Sequence, residues 1–216
     1  MIQWRVGASW RRDRSALAAL QSLVGSAHYL GYARRAWRPR AVVPEAGLPG
    51  VTLIVPCCGD EDGLEANLEA LLGLHYPRFQ VRLVVANSDD AAVPVIERVR
   101  ARHPGRSELI VAGPGRDHGQ KIHNLLAALD AGPQADVLAF ADSDGRPEPG
   151  WLRRLVAGLG EPGVGVTSSY RFYRPKPPGF ATLLRSVWNL SVSTALSTAW
   201  TASRLCGGAR AVSAFT

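Results

Sequence analysis

The sequence predicts an α/β fold: a mostly parallel sheet with helices on both faces, preceded by an amino-terminal helix. Three observations carry that expectation. Short apolar runs rich in β-branched residues alternate with segments whose apolar residues recur at helical spacing. Each of the first four apolar runs ends in a polar, acid-bearing loop. The length of 216 residues, with 46% hydrophobic and 20% charged side chains, is enough for one sizeable core.

The elements follow in order. VTLIVP (51–56) is a continuous apolar run, as a strand covered on both faces requires. Leu64, Leu68, Leu71 and Leu72 then mark a helix that ends at Gly73. VRLVVA (81–86) reads as a second strand, and Val95, Ile96 and Val99 sit on a helix over about 91–102. ELIVAG (108–113) is a third strand, followed by the helical HNLLAALDAG (123–132), which stops at Gly132. DVLAFA (136–141) is a fourth strand, WLRRLVAGLG (151–160) a helix and VGVTSSY (164–170) a fifth strand. A long, mostly uncharged helix is expected over 180–200. Upstream, WRPRAVVPEAGLPG (37–50) holds three prolines and two glycines and reads as a linker. The expected organisation is therefore an arm (1–40), a linker (41–50) and a domain (51–216).

Charge is placed unevenly. Residues 1–40 hold eight arginines and one acid, a surplus equal to the chain's whole net charge of +7. The remainder balances 17 basic against 17 acidic residues, which argues against a nucleic-acid-binding body. Within the arm, 19 residues between Arg14 and Arg34 carry no Asp, Glu, Lys or Arg. Leu20, Leu23, Ala27 and Leu30 share one helical face there. An interfacial helix with cationic flanks at an anionic membrane is the first reading; a spanning helix and a helix docked on the domain are the alternatives. Three cysteines, Cys57, Cys58 and Cys206, exclude a disulfide scaffold and form no C-x-x-C zinc pair. A reducing compartment fits that usage.

Ligands of open parallel sheets bind outside the carboxyl ends of the strands. The loops there are CCGDEDG (57–63), NSDD (87–90), GPGRDHGQK (113–121) and DSDG (142–145). Asp142 and Asp144 lie two apart at the end of an extended segment, so their carboxylates leave the backbone on one side. Such a pair suits Mg²⁺ or Mn²⁺ when phosphates complete the shell, although D-S-D-G is also a good turn. GQKIHNLL (119–126) opens a helix after a glycine-rich loop, where an anion is favoured and Lys121 adds a point charge. GPG (113–115) lacks the Walker pattern, so a P-loop nucleotidase is unsupported. His123 reads as a structural or rim histidine, and Cys57 and Cys58 as packing residues.

Taken together, VTLIVPCCGDEDGLEANLEALLGLHYPRFQVRLVVANSDDAAVPVI, GQKIHNLL, FADSDGRPEPGWL and LCGGARAV resemble family 2-type glycosyltransferases. More narrowly they are similar to the ceramide glucosyltransferase group and its bacterial hopanoid-associated relatives, over residues 50–212. The resemblance implies a GT-A fold, a nucleotide-sugar donor, a divalent cation and a lipid acceptor, with membrane association at the cytoplasmic face. It implies that Pro56, Asp89 and Asp90 line the nucleoside and that Lys121 and Asn124 match a donor-side K-x-x-N. It gives Asp142 and Asp144 the metal and donor roles, and Gly207 and Gly208 the acceptor loop. The reaction implied is inverting sugar transfer.

Family members continue into a third acidic motif with the catalytic base, a Q-x-x-R-W-type motif and carboxy-terminal membrane helices. None of these follows Gly208 here, so the base is expected beyond Thr216. The chain is then expected to be a donor-binding portion: a fragment, a truncated product, or half of a split enzyme completed by a second chain. A base from Asp60, Glu61 or Asp62 would require the first loop to fold over the donor. A binding-only remnant is the alternative reading. A nucleotidyltransferase is disfavoured because CCGDEDG is acidic where that class needs a basic, glycine-rich loop.

Overall fold

In the computed structural model the described residues are 44–133, 135–170 and 179–186, the backbone of 210–215, and arm positions 16, 20–27, 30, 31 and 34. The chain divides into two compact units, Ala41–Ala157 and a second made of Met1–Arg40 with Gly158–Thr216.

The first unit is built on four parallel strands in the order β3-β2-β1-β4. They are β1 (Val51–Pro56), β2 (Phe79–Val85), β3 (Ser107–Val111) and β4 (Val137–Phe140). Their helices are α1 (Leu64–Leu72), α2 (Ala92–Arg102), α3 (Gln120–Asp130) and α4 (Trp151–Ala157). Val51 of β1 sits beside Phe79 of β2 on one side and Val137 of β4 on the other. Val81 of β2 sits beside Ser107 of β3.

The pleat sends alternate side chains to opposite faces. Val51, Leu53 and Val55, with Val81, Leu83 and Val85, join Leu68 and Leu72 of α1, Ile96 and Val99 of α2 and Leu152 of α4 in the larger core. Ile54 and Val84 meet Ala128 of α3 in a smaller core on the other face. Full burial of each large side chain is worth roughly 1.5–3 kcal/mol, so the two-sided burial of β1 and β2 anchors the unit. The apolar run read at 51–56 is thus explained, because β1 is interior and covered twice. Helix α3 packs on β1 and β2, leaving Leu138 and Phe140 of the edge strand β4 exposed.

Arg82 of β2 is the exception on the α3 face. It is 4% exposed, and its Nε donates to Glu108 Oε1 of β3 at 2.6 Å. One terminal nitrogen donates to Ala128 O in the last turn of α3 at 2.7 Å and the other to Pro133 O at 3.0 Å. A helix leaves its last four carbonyls without intrahelical partners, and a cation there also matches the helix dipole. Arg82 therefore fixes where α3 ends.

On the opposite face α1 and α2 are joined by Glu65 with Arg98 and Arg102, and by Glu69 with Arg102 and His103. The hydrogen bond from His103, before other causes, holds the Glu69 carboxyl below its usual range. A lowered carboxyl contributes stability above the ordinary carboxylate range and loses it as pH falls. Solvent exposure keeps the contribution of such pairs small.

Two expectations need correction. The segment 164–170 is a strand, β5 (Val164–Tyr170), but it is not a fifth strand of the main sheet. It pairs in parallel with β6 (Arg210–Phe215) as a separate two-stranded sheet in the second unit. Its physical mark is polarity: Thr167, Ser168 and Ser169 follow the exposed Val166, unlike the doubly covered β1. Strand β6 replaces what the sequence offered only as a loop-flanking segment. The helix expected over 180–200 is described for 180–186; its continuation, like Cys206, Gly207 and Gly208, lies outside the described residues. The described arm positions are helical, and Leu20, Leu23, Val24 and Leu30 are exposed. Among the described residues no helix is long and apolar enough to cross a membrane.

Candidate active site

Parallel strands deliver all four of their following loops to one edge of the sheet. The loops are tied to one another there. The Asp90 carboxylate, after β2, accepts from Gly59 N in the loop after β1 at 2.8 Å and from Ala92 N at the start of α2 at 2.9 Å. Both bonds use Oδ1. Pro56 closes β1 and is half-buried, whereas Asp89 is exposed in the β2 loop. Cys57 is buried beside this junction. Burial first, then the Asp90 and Glu61 carboxylates, pushes its thiol up to about 12, so it stays protonated and unreactive near neutral pH. Its role is packing, as the sequence suggested.

The loop after β3 is clamped to α3 by Gln120. Its side chain accepts from Gly115 N at 2.8 Å and donates to Gly113 O at 2.9 Å and to Asn124 Oδ1 at 2.7 Å. A Cβ on Gly115 would stand 3.1 Å from His118 O and from His123 Cβ, so glycine permits the close approach. His123 itself meets Ala112 O at 3.0 Å, a structural contact. Asn124 is 3% exposed and lies beneath the loop, held by Gln120 rather than presented at the edge. The helix starts at Gln120, inside the GQKIHNLL segment read as a helix opening, and Lys121 lies in its first turn.

Lys121 Nζ reaches Asp142 Oδ1 at 2.6 Å, joining two residues that the sequence presented as separate signals. Asp142 and Asp144 are both exposed, while Ser143 between them is buried. The turn closes through Gly145 N donating to Asp142 O at 3.3 Å. Asn67 of α1 supports it from beneath: its Nδ2 donates to Ser143 O at 3.1 Å and its Oδ1 accepts from Arg146 Nε at 3.2 Å.

Asn67 and Gln120 were not singled out by sequence reasoning. The available signal for Asn67 was a polar residue inside the buried stripe of α1, between Leu64 and Leu68. For Gln120 it was a long amide at the first helical position after a glycine-rich loop. Among the described residues no group of three or more His, Cys, Asp or Glu could hold a metal. The turn after β4 offers two hard carboxylates, Asp142 and Asp144. It fits a cation whose remaining ligands are phosphate and water oxygens, and it does not fit a protein-only cage. An open cavity of 780 Å³ lies elsewhere, beside Leu74, His75, Tyr76, His103, Arg106 and Arg153 at the opposite ends of the strands. Its lining holds a single carboxylate, that of Glu45, and it meets the loop after β4 only at Gly150.

Ceramide glucosyltransferase 1 of Caenorhabditis elegans is 25% identical over 135 residues, 58% of this chain and 29% of that protein. The probable glycosyltransferase YdaM of Bacillus subtilis is 26% identical over 140 residues, 62% of this chain and 32% of that one. The chain spans about a third of the length of these two relatives. Among solved structures, the mannosyltransferase PcManGT from Pyrobaculum calidifontis, in complex with GDP-Man and Mn²⁺, is 27% identical with a TM-score of 0.51, over 75% of this chain and 48% of that one. The fold is of the GT-A kind. The profile described as Glycosyl transferase family 21 matches residues 16–212. The chain belongs to glycosyl transferase family 21.

Proposed function

We propose that this chain supplies the donor-binding portion of an inverting glycosyltransferase. In this reading a sugar moves from a nucleotide diphosphosugar such as UDP-glucose to the hydroxyl of a ceramide- or hopanoid-like lipid. The observation that carries the reading is the exposed Asp142–Asp144 pair at the end of β4, with Lys121 of α3 within 2.6 Å of it. Relatives named ceramide glucosyltransferase support the lipid acceptor.

Asp144, with Asp142, would hold Mg²⁺ or Mn²⁺ against the donor diphosphate. The cation, when bound, supplies charge neutralisation on the departing nucleoside diphosphate. Lys121 balances Asp142 in the free protein; with donor present its ammonium turns to a phosphate oxygen, one ion pair exchanged for another. Asp90, Asp89 and Pro56 line the nucleoside side. Gly207 and Gly208 serve the acceptor side.

The test is calorimetric titration with UDP. Binding is expected with Mn²⁺ and is expected to vanish when EDTA replaces the metal. Equal affinity in both conditions would remove the cation from the site.

For the arm we propose peripheral attachment to an anionic membrane at its cytoplasmic face. The arginine surplus of residues 1–40 and the exposed Leu20, Leu23, Val24 and Leu30 support this. Cations near anionic headgroups contribute about 1 kcal/mol each. Co-sedimentation with phosphatidylserine-containing vesicles is expected to fall as salt rises and to disappear when residues 1–40 are deleted. Binding that resists high salt and yields only to detergent would indicate a spanning helix instead.

A further inference from the structure

We propose that Asn67 is a positioning residue for the metal turn: it sets the spacing and direction of the Asp142 and Asp144 carboxylates. This rests on the reading of that pair as cation ligands.

Helix α1 buries Leu64, Asn67, Leu68, Leu71 and Leu72. Four of these five are leucines, and leucine at position 67 would satisfy the same stripe. A carboxamide at 7% exposure has to find partners, because a buried polar group left unpaired is costly. Asn67 finds both in one turn of chain, 76 and 79 residues away. Its donor takes the backbone at Ser143 and its acceptor takes the side chain of Arg146. Those two points bracket Asp144.

The geometry gives this staple a directional consequence. Ser143 is pinned inward, so its neighbours Asp142 and Asp144 are both turned outward to the strand-end edge. The reference body is rigid, since Leu64, Leu68, Leu71 and Leu72 lock α1 into the larger core. Gly63, before α1, has a φ of +81°, the left-handed backbone that favours glycine, and the Arg146 guanidinium lies over it. Residues that orient ligands without touching the metal typically alter its affinity ten- to a hundredfold when replaced.

The experiment measures UDP binding to the full chain as a function of Mn²⁺ concentration. Asn67→Leu keeps the number and branching of the side-chain heavy atoms, in a somewhat larger volume, and removes both hydrogen bonds. Half-saturating Mn²⁺ is expected to rise ten- to a hundredfold, with the number of UDP sites at saturating Mn²⁺ unchanged. Asn67→Asp keeps an acceptor for Arg146 and removes the donor to Ser143 O. It is expected to shift in the same direction, and it keeps the test decisive if the leucine variant does not fold. Wild-type half-saturation in the folded variants would overturn the positioning role while leaving the cation reading intact. A drop in the number of sites with no shift in half-saturation would overturn it too, since that is the mark of general unfolding. Absence of Mn²⁺-dependent UDP binding in the wild-type chain would overturn the cation reading and this inference with it.

Discussion

Asp144→Ala is expected to weaken UDP–Mn²⁺ binding at least tenfold, about 1.4 kcal/mol. The reason lies in how few ligands the protein offers. Two carboxylates face the edge, and one oxygen of Asp142 is already committed to Lys121 at 2.6 Å. Losing Asp144 would leave Asp142 as the turn's single carboxylate. Asp142→Ala is a less clean experiment, because it also releases Lys121, which can then strengthen its hold on a phosphate. Calorimetry with UDP and Mn²⁺ on wild type and Asp144→Ala decides the matter. Identical dissociation constants would mean that the pair is an ordinary solvated turn.

The largest stability effect is expected at Arg82. Arg82→Ala leaves Ala128 O and Pro133 O without their donor and removes a long aliphatic stem from a buried position. The buried Ala128 O left unpaired costs roughly 1–3 kcal/mol, whereas water can reach the carbonyl of the exposed Pro133. With the lost packing the total is expected at about 2–4 kcal/mol, read as a lowered urea midpoint. Glu108 adds little, because its side chain is 37% exposed and water can replace the guanidinium. Arg82→Met should recover part of the loss through packing, since a buried ion can be exchanged for an apolar side chain of similar volume at modest cost. An unchanged midpoint for Arg82→Ala would show that α3 ends where it does without Arg82.

Much of the first unit could be read from the sequence because its information is local. β1 is apolar at every position but Thr52, and a strand covered on both faces uses such a run. The leucine stripe of α1 and its end at Gly73 are likewise local. The place of Asp142 and Asp144, just beyond a strand, followed from spacing alone. What could not be read is pairing between distant residues. Nothing within reach of Asn67 in sequence announces Ser143, and the Lys121–Asp142 contact spans 21 residues. β5 was recognisable as a strand, but its partner β6 begins 46 positions further on, Val164 standing beside Arg210. Asn124 shows the same limit from the other side. Its motif suggests an edge residue, and only the Gln120 clamp reveals that it is buried.

The strand order carries a consequence for how the protein is made. Val51 meets Phe79 after 28 residues, and Val81 meets Ser107 after 26. Val51 meets Val137 only after 86. Closing that longest loop first would cost about 1 kcal/mol more in chain entropy than closing the β1–β2 loop. Once β1, β2 and β3 have assembled, only the chain from Val111 to Val137 remains to be closed. The favoured sequence of events therefore adds β4 last, onto an open β1 edge. Until it docks, the nascent chain carries an unpaired strand edge whose only polar side chain is Thr52, the kind of surface that recruits other chains. The acidic turn arrives with β4, so a ligand held at Asp142 and Asp144, as proposed above, would stabilise only chains that have passed this vulnerable stage.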